Sequence, residues 1–247
     1  MTNDIRPDDL KASLGRVPPA EAADHARIVL ESGGAIDDIL RNISSSYFRL
    51  RRGMAAIALL LPPVLWLGGG IGHLQGSMSA YYHTNMGDVF VGALWALGSF
   101  LFFYRGYSTA ENRTLNAAGV AAIVIALAPT DWPVGPGTAT SVTGYVHGTS
   151  AVLFFVLIAY VAIFRAKDTV EALADEQARA RFVATYRTLG VAMVGLPLFI
   201  VFAHFYFPDY PSWIFLLEAA GVYVFSSFWL VKSREIARIE AQSRPGA

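Results

Sequence analysis

The sequence predicts an all-α, polytopic membrane protein with six transmembrane helices. Hydrophobic residues make up 54% of the 247-residue chain, whereas charged residues make up only 15%. Several apolar runs approach the length of about 20 residues that a helix needs to cross about 30 Å of hydrocarbon. Membrane strands are not favoured, because they alternate in polarity and these runs do not.

The N-terminal part, residues 1–50, is predicted to be a cytoplasmic tail that carries an amphipathic helix. Apolar residues recur there at i, i+3, i+4 and i+7, on one helical face: Ile36, Ile39, Leu40 and Ile43. Such a face indicates an interfacial helix or one that docks on a partner. A solvated linker helix is the alternative.

Residues 51–232 are predicted to form the six-helix transmembrane domain, and residues 233–247 a cytoplasmic tail. Pro62 and Pro63 are expected to kink or break the first span. The third span is short and is expected either to begin earlier or to thin the bilayer locally, and the charged stretch 165–187 is expected to form a surface helix. The predicted spans are Met54–Ile71, Val89–Tyr104, Leu115–Pro129, Val142–Phe164, Leu189–Phe207 and Trp213–Val231.

The distribution of basic residues predicts the orientation. All 19 Lys and Arg residues precede the first span, follow the second or fourth, or lie in the final tail. The positive-inside rule therefore places both termini in the cytoplasm. The net charge of zero argues against a nucleic-acid partner, and the absence of cysteine excludes disulfides and thiolate metal sites. Membrane lipids are the expected partners, and a homo-oligomer is left open.

The polar segment Gly76–Asp88 lies between the first two spans, on the predicted outer face. Its two tyrosines, together with Tyr206, Tyr210 and Trp213, are interpreted as an aromatic interface belt. Ionisable residues of this segment and of later spans could converge on one polar pocket: His83, Asp88, His147, His204 and Glu218. The structural alternatives are a helix cap for Asp88 and interhelical hydrogen bonds for His147, next to the small-residue pair Gly144 and Gly148, and for His204.

Three functional hypotheses stay open, two based on this pocket and the third on the amphipathic cytoplasmic segments, and whether the chain is an enzyme is left open. Three imidazoles, His83, His147 and His204, would form the ligand set of a catalytic zinc ion. Glu218 would be the general base of an amide or ester hydrolase acting on lipids, and Ser79 or Tyr82 would steady the oxyanion. The second hypothesis is a proton-coupled transporter that uses Glu218, and the third is a non-catalytic lipid-binding or scaffold protein.

Two resemblances extend these hypotheses. Ser77-Met-Ser79, Asp88-Val-Phe-Val-Gly, Tyr104-Arg-Gly-Tyr107 and Ala126-Leu-Ala-Pro-Thr130 resemble a family of bacterial six-span membrane proteins of unknown function that is similar to the DRAM-type proteins. This likeness implies the bacterial inner membrane. Ser79-Ala-Tyr-Tyr-His83 is also similar to the Ser-x3-His element of the CREST hydrolases, which include alkaline ceramidases, and implies a catalytic role for Asp88. Those proteins have seven spans and a paired-histidine motif that this chain lacks.

Overall fold

The structure is a computed structural model that describes residues 19–132, 140–206 and 213–242. All of its regular elements within these ranges are helical. The chain divides into two units, Met1–Tyr47 and Phe48–Ala247. A 3₁₀ helix spans Ser79–His83 and a π-helical segment spans Val161–Arg165. The α-helices are α1 (Pro19–Gly69), α2 (Gly87–Phe103), α3 (Thr109–Leu127), α4 (Val142–Tyr160), α5 (Lys167–Val170), α6 (Glu176–Tyr206) and α7 (Trp213–Gln242).

Four helical stretches of the described chain are long and apolar enough to cross a membrane. The stretch Gly87–Phe103 is apolar but shorter. Large apolar side chains are exposed on these helices, as Leu60 and Leu198 show at 56% and 63% exposure, and a bilayer would cover such faces. The all-α prediction is confirmed, and the composition of the helices indicates a membrane protein. The four stretches are Asp38–Gly69, Val142–Val170, Glu176–Phe199 and Ile214–Gln242.

The first apolar run is not broken at its prolines. Pro62 and Pro63 both lie inside the continuous helix α1, although each removes one backbone N–H donor. The helix ends instead at a glycine turn, where Gly70 and Gly72 have φ angles of 107° and 100°. Glycine adopts such angles without steric cost, so these two residues turn the chain toward the 3₁₀ helix.

Helix α3 begins at Thr109, earlier than the predicted start at Leu115, as its short apolar run led us to expect. Ser108 Oγ accepts a hydrogen bond from the Glu111 backbone N–H at 3.2 Å. Glu111 Oε2 accepts one from the Tyr107 backbone N–H at 2.8 Å. These reciprocal bonds resemble a capping box and fix the start of the helix.

Helices α2 and α3 approach each other closely at two glycines. A Cβ atom on Gly98 would lie 2.7 Å from the Gly119 carbonyl oxygen, and one on Gly119 would lie 2.5 Å from the Gly98 carbonyl oxygen. The two backbones therefore touch without intervening side chains. The sequence instead suggested Gly144 and Gly148 for close helix packing. No described atom lies within 4 Å of a Cβ on Gly148, and the tight neighbour of Gly144 is the Asp131 carboxylate.

The charged stretch 165–187 does not form one separate surface helix. Helix α5 is a single short helix, and Val170 and Leu173 are 0% and 1% exposed. Helix α6 already begins at Glu176 and runs on into the predicted fifth span. Val170 and Leu173 are therefore part of the core, whereas Phe182 on α6 is half-buried.

The first unit contains the part of α1 that precedes Phe48. The apolar face that the sequence predicted there is uncovered within the unit. Each of its members is at least half exposed, which fits an amphipathic helix: Ile36 (57%), Ile39 (58%), Leu40 (57%) and Ile43 (50%).

Candidate functional site

The 76–88 segment is attached to the beginning of α7 by two hydrogen bonds, one between backbone groups and one to a side chain. The Phe215 N–H donates to the Gly76 carbonyl at 3.1 Å. The Met78 N–H donates to Glu218 Oε2 at 2.5 Å. Because the first N–H groups of a helix have no partner within the helix, the Gly76 carbonyl satisfies one of the free donors of α7. Glu218, which is half-buried, in turn holds the segment by its carboxylate.

Tyr81, within this segment, is buried and 0% exposed. Its ring centroid lies 5.9 Å from that of Phe215, and a Cβ on Gly69 would approach its Cε1 atom to 2.6 Å. Assigning Tyr81 to an aromatic interface belt was therefore wrong, because the ring is a core residue that joins α1, the 3₁₀ helix and α7. Of the other predicted belt residues, Tyr206 is exposed, while the side chains of Tyr210 and Trp213 lie outside the described residues.

The serines of the segment stabilise the 3₁₀ helix. Ser77 Oγ accepts a hydrogen bond from the Ala80 backbone N–H at 3.1 Å and lies 3.2 Å from Ser79 Oγ. Ser79 is buried. These contacts give both hydroxyl groups a local structural role, and the oxyanion role of Ser79 stays a prediction.

Two of the predicted histidines bind backbone carbonyl groups just after the end of α3. His83 Nε2 donates to the Thr130 carbonyl at 2.8 Å, and its ring stacks on Trp132 at 5.8 Å between centroids. His147 Nδ1 donates to the Ala128 carbonyl at 2.7 Å. Both carbonyl groups follow the end of α3 at Leu127, so the two imidazoles tie this stretch of backbone to the 76–88 segment and to α4. The interhelical hydrogen bond suggested for His147 is thus present.

The zinc site stays a prediction. Metal-bound histidines commonly donate their second ring N–H to a backbone carbonyl, as His83 and His147 do. Across the described residues, however, no three His, Asp or Glu side chains come close enough to hold a metal ion. The side chain of His204, the predicted third ligand, lies outside the described residues. The two described imidazoles do not make a catalytic zinc site by themselves.

Asp88 is exposed in the first turn of α2. A carboxylate in this position complements the positive end of the helix dipole. The residue at the N-cap position is Met86, which makes no capping side-chain bond. Asp88 therefore does not occupy the cap position and stabilises the helix start only through its charge. Its catalytic role stays a prediction.

A second polar site lies at the opposite end of α7, and the sequence analysis missed it. Lys232 and Glu235 are 2% and 0% exposed, with 3.2 Å between Nζ and Oε2. Thr169 Oγ1 donates to Glu235 Oε1 at 2.6 Å and accepts from Lys232 Nζ, while the Tyr186 hydroxyl donates to Glu235 Oε2. We name these four residues the Lys232 cluster. The spacing i, i+3 of Lys232 and Glu235 is visible in the sequence. The pair lies where the transmembrane domain was predicted to end and the cytoplasmic tail to begin, so no burial was expected for it.

Further buried polar groups lie toward the same end of the bundle. Arg51 is 4% exposed, and its Nη1 lies 3.4 Å from the Tyr104 hydroxyl. The Tyr104 ring is 5.0 Å from that of Trp229 on α7. Because burying ionised groups is costly, several buried charges at one end of an apolar bundle point to a functional or conformational role.

No protein-family model, no curated protein and no solved structure matches the chain.

Proposed function

We propose that the protein crosses the bacterial inner membrane six times with both termini in the cytoplasm. Helices α2 and α3, of 17 and 19 residues, would supply the two crossings beyond the four long apolar stretches. The contacts between helices support the proposal that successive helices cross the membrane in alternating directions. The start of α2 and the end of α3 lie near the 76–88 segment, whereas Tyr104, after α2, packs against Trp229. The basic residues sort to one side only in this topology.

Within this topology the protein is a membrane carrier whose outer gate is the 76–88 segment. One observation carries the proposal: the hydrogen bond from the Met78 N–H to the Glu218 carboxylate. An ionisable group within a membrane span is costly and commonly marks a transport or proton pathway. Here that group holds the segment that covers its end of the bundle.

Protonation of Glu218 is the event that releases the gate. The ionised carboxylate accepts a charge-assisted hydrogen bond, which is roughly twice as strong as a neutral one. Adding a proton removes that charge and weakens the hold on Met78. Of its contacts with α7, the segment then keeps the backbone bond to Phe215 and the packing of Tyr81. Neutral Glu218 can also be exposed to the apolar part of the bundle at a lower cost.

Thiol labelling can test this gate, because the chain contains no cysteine. Ser79→Cys places one thiol in the buried part of the segment, and Ile71→Cys places one at a site that is 75% exposed. Each protein is reconstituted in vesicles and treated with a membrane-impermeant maleimide between pH 5 and 8. Dividing the labelling rate of Ser79→Cys by that of Ile71→Cys removes the pH dependence of the thiol's own reactivity.

We expect the ratio for Ser79→Cys to rise as the pH falls and to follow the uptake of one proton. Adding Glu218→Gln should remove this pH dependence, because glutamine keeps the shape of the side chain but does not titrate. Asp88→Asn, which neutralises an exposed acid of the same segment, is the matched control and should leave the response unchanged. The proposed gate would be refuted if the ratio did not change with pH in the protein that keeps Glu218.

A further inference from the structure

The Lys232 cluster joins three helices at the end of the bundle opposite the 76–88 segment. Thr169 comes from α5, Tyr186 from α6, and Lys232 and Glu235 from α7. The Lys232 ammonium also lies 5.5 Å from the centroid of the Tyr186 ring. A buried ion pair of this kind often contributes no more stability than apolar residues of the same size would. Stability alone therefore does not account for it.

The backbone beside the cluster departs from the α-helix. The π-helical segment Val161–Arg165 separates α4 from α5, and the Ala166 N–H donates to the Val161 carbonyl at 2.8 Å to close its wide turn. Single π-helical turns are common at functional sites and at points where helices bend. Thr169 lies in α5, the short helix that follows this segment, so a small change of the wide turn would move its hydroxyl relative to Glu235.

Helix α7 carries the two polar sites on one face. Glu218 and Lys232 are about four turns apart, or about 21 Å along the axis. Phe225 and Trp229 lie between them on the same face and are both 1% exposed. Phe225 packs against Phe154 of α4, with 5.4 Å between ring centroids. An aromatic layer thus separates the two polar sites.

We propose that the Lys232 cluster is the second gate of the carrier and closes the end of the bundle opposite the 76–88 segment. The inference rests on the proposed function, since a second gate has a purpose only in a protein that opens to each side in turn. In the structure both gates are closed. Opening the second gate separates Thr169 and Tyr186 from Glu235, and the π-helical segment takes up the movement of α5.

The test uses a second thiol reporter near the cluster. Ser233 is 4% exposed, and its hydroxyl bonds the Trp229 carbonyl of its own helix at 2.9 Å, so Ser233→Cys leaves the cluster intact. Its reaction with a small methanethiosulfonate reagent is measured in vesicles that expose the Lys232 end. Ser79→Cys is measured in parallel from the other side. Both reporters are then combined with Glu235→Gln.

We expect Glu235→Gln to raise the labelling rate of Ser233→Cys about tenfold, which corresponds to about 1.4 kcal/mol in the equilibrium between closed and open states. The rate for Ser79→Cys should fall or stay constant, because opening one end favours closure of the other. Unfolding would raise both rates together. Equal rises at both reporters, or no change at Ser233→Cys, would overturn the second gate.

Thr169→Val is the second variant and removes the hydrogen bonds of Thr169 with Glu235 and Lys232 without changing any charge. It should also raise the rate at Ser233→Cys, which separates gate opening from an electrostatic effect of Glu235→Gln on the thiol. Asp175→Asn is the matched control, because it removes an ion pair to Arg238 of α7 that is about half exposed. It should change neither rate by more than about twofold.

The two proposals fail separately. The pH response of Ser79→Cys, with the Lys232 cluster unchanged, decides whether the 76–88 segment is a proton-dependent gate. The response of Ser233→Cys to Glu235→Gln and Thr169→Val decides whether the cluster is a gate. Loss of the first response alone removes the proposed function, and loss of the second alone leaves an outer gate without this partner.

Discussion

Gly98→Ala should destabilise the protein by forcing apart the backbones of α2 and α3. The new methyl group would lie 2.7 Å from the Gly119 carbonyl oxygen, 2.7 Å from Ile123 Cγ1 and 3.3 Å from the Ile123 backbone nitrogen. Two of these three neighbours are backbone atoms, so the strain cannot be relieved by one side-chain rotation. Overpacking of this kind costs about 1–3 kcal/mol. For a chain of this size we expect Tm to fall by roughly 3–10 °C.

Gly92→Ala is the matched control on the same helix, because no described atom lies within 4 Å of the added Cβ. Replacing a helical glycine with alanine there should be neutral or stabilise the protein by up to about 1 kcal/mol. Thermal unfolding of both variants in detergent can be followed by the fluorescence of the five tryptophans. Equal Tm values for the two variants would contradict the backbone contact between α2 and α3.

Three further predictions concern single side chains. Tyr81→Ala should lower the free energy of unfolding by about 3–5 kcal/mol and make the 76–88 segment sensitive to protease, whereas Tyr82→Ala, at a partly exposed site, should do much less; similar digestion patterns would count against the burial of Tyr81. Ser108→Ala should cost about 1 kcal/mol through loss of the α3 cap, seen as a lower Tm, and an unchanged Tm would argue against that cap. The backbone hydrogen bond from Ala178 lowers the pKa of Asp175 below its ordinary 3.8, so its stabilising effect is complete above that pH and is lost as the pH falls through the lower folded value. Acid titration of stability should show this loss in the parent but not in Asp175→Asn, and identical acid profiles would refute it.

The sequence was sufficient to predict the class of the fold and the position of most helices. Apolar runs of the right length located α2, α4, α6 and α7, because each must cover its apolar surface and satisfy its backbone within one segment. The ends of the helices were less predictable. Helix α7 continues beyond Val231 to Gln242, since its charged residues find buried partners on other helices. Such partners are far away in the sequence and leave no local pattern.

The candidate site was predictable as a region but not as a set of contacts. The sequence pointed to the 76–88 segment and to Glu218, because a carboxylate inside an apolar run requires a partner, and the structure joins the two by a hydrogen bond. It did not reveal that the partner is the Met78 backbone, since every residue but proline offers the same N–H group. Tyr81 was misplaced for a related reason. An aromatic residue near a membrane boundary is compatible with both an interface and a core.

The hydrogen bond between Met78 and Glu218 joins residues that are 140 positions apart in the chain, and this separation affects the order of assembly. During synthesis the 76–88 segment emerges long before α7, and its anchor does not yet exist. Long-range contacts of this kind form late. A ribosome-bound intermediate that ends before α7 would therefore carry the segment unanchored, and insertion of the last helix would be the step that completes this end of the bundle.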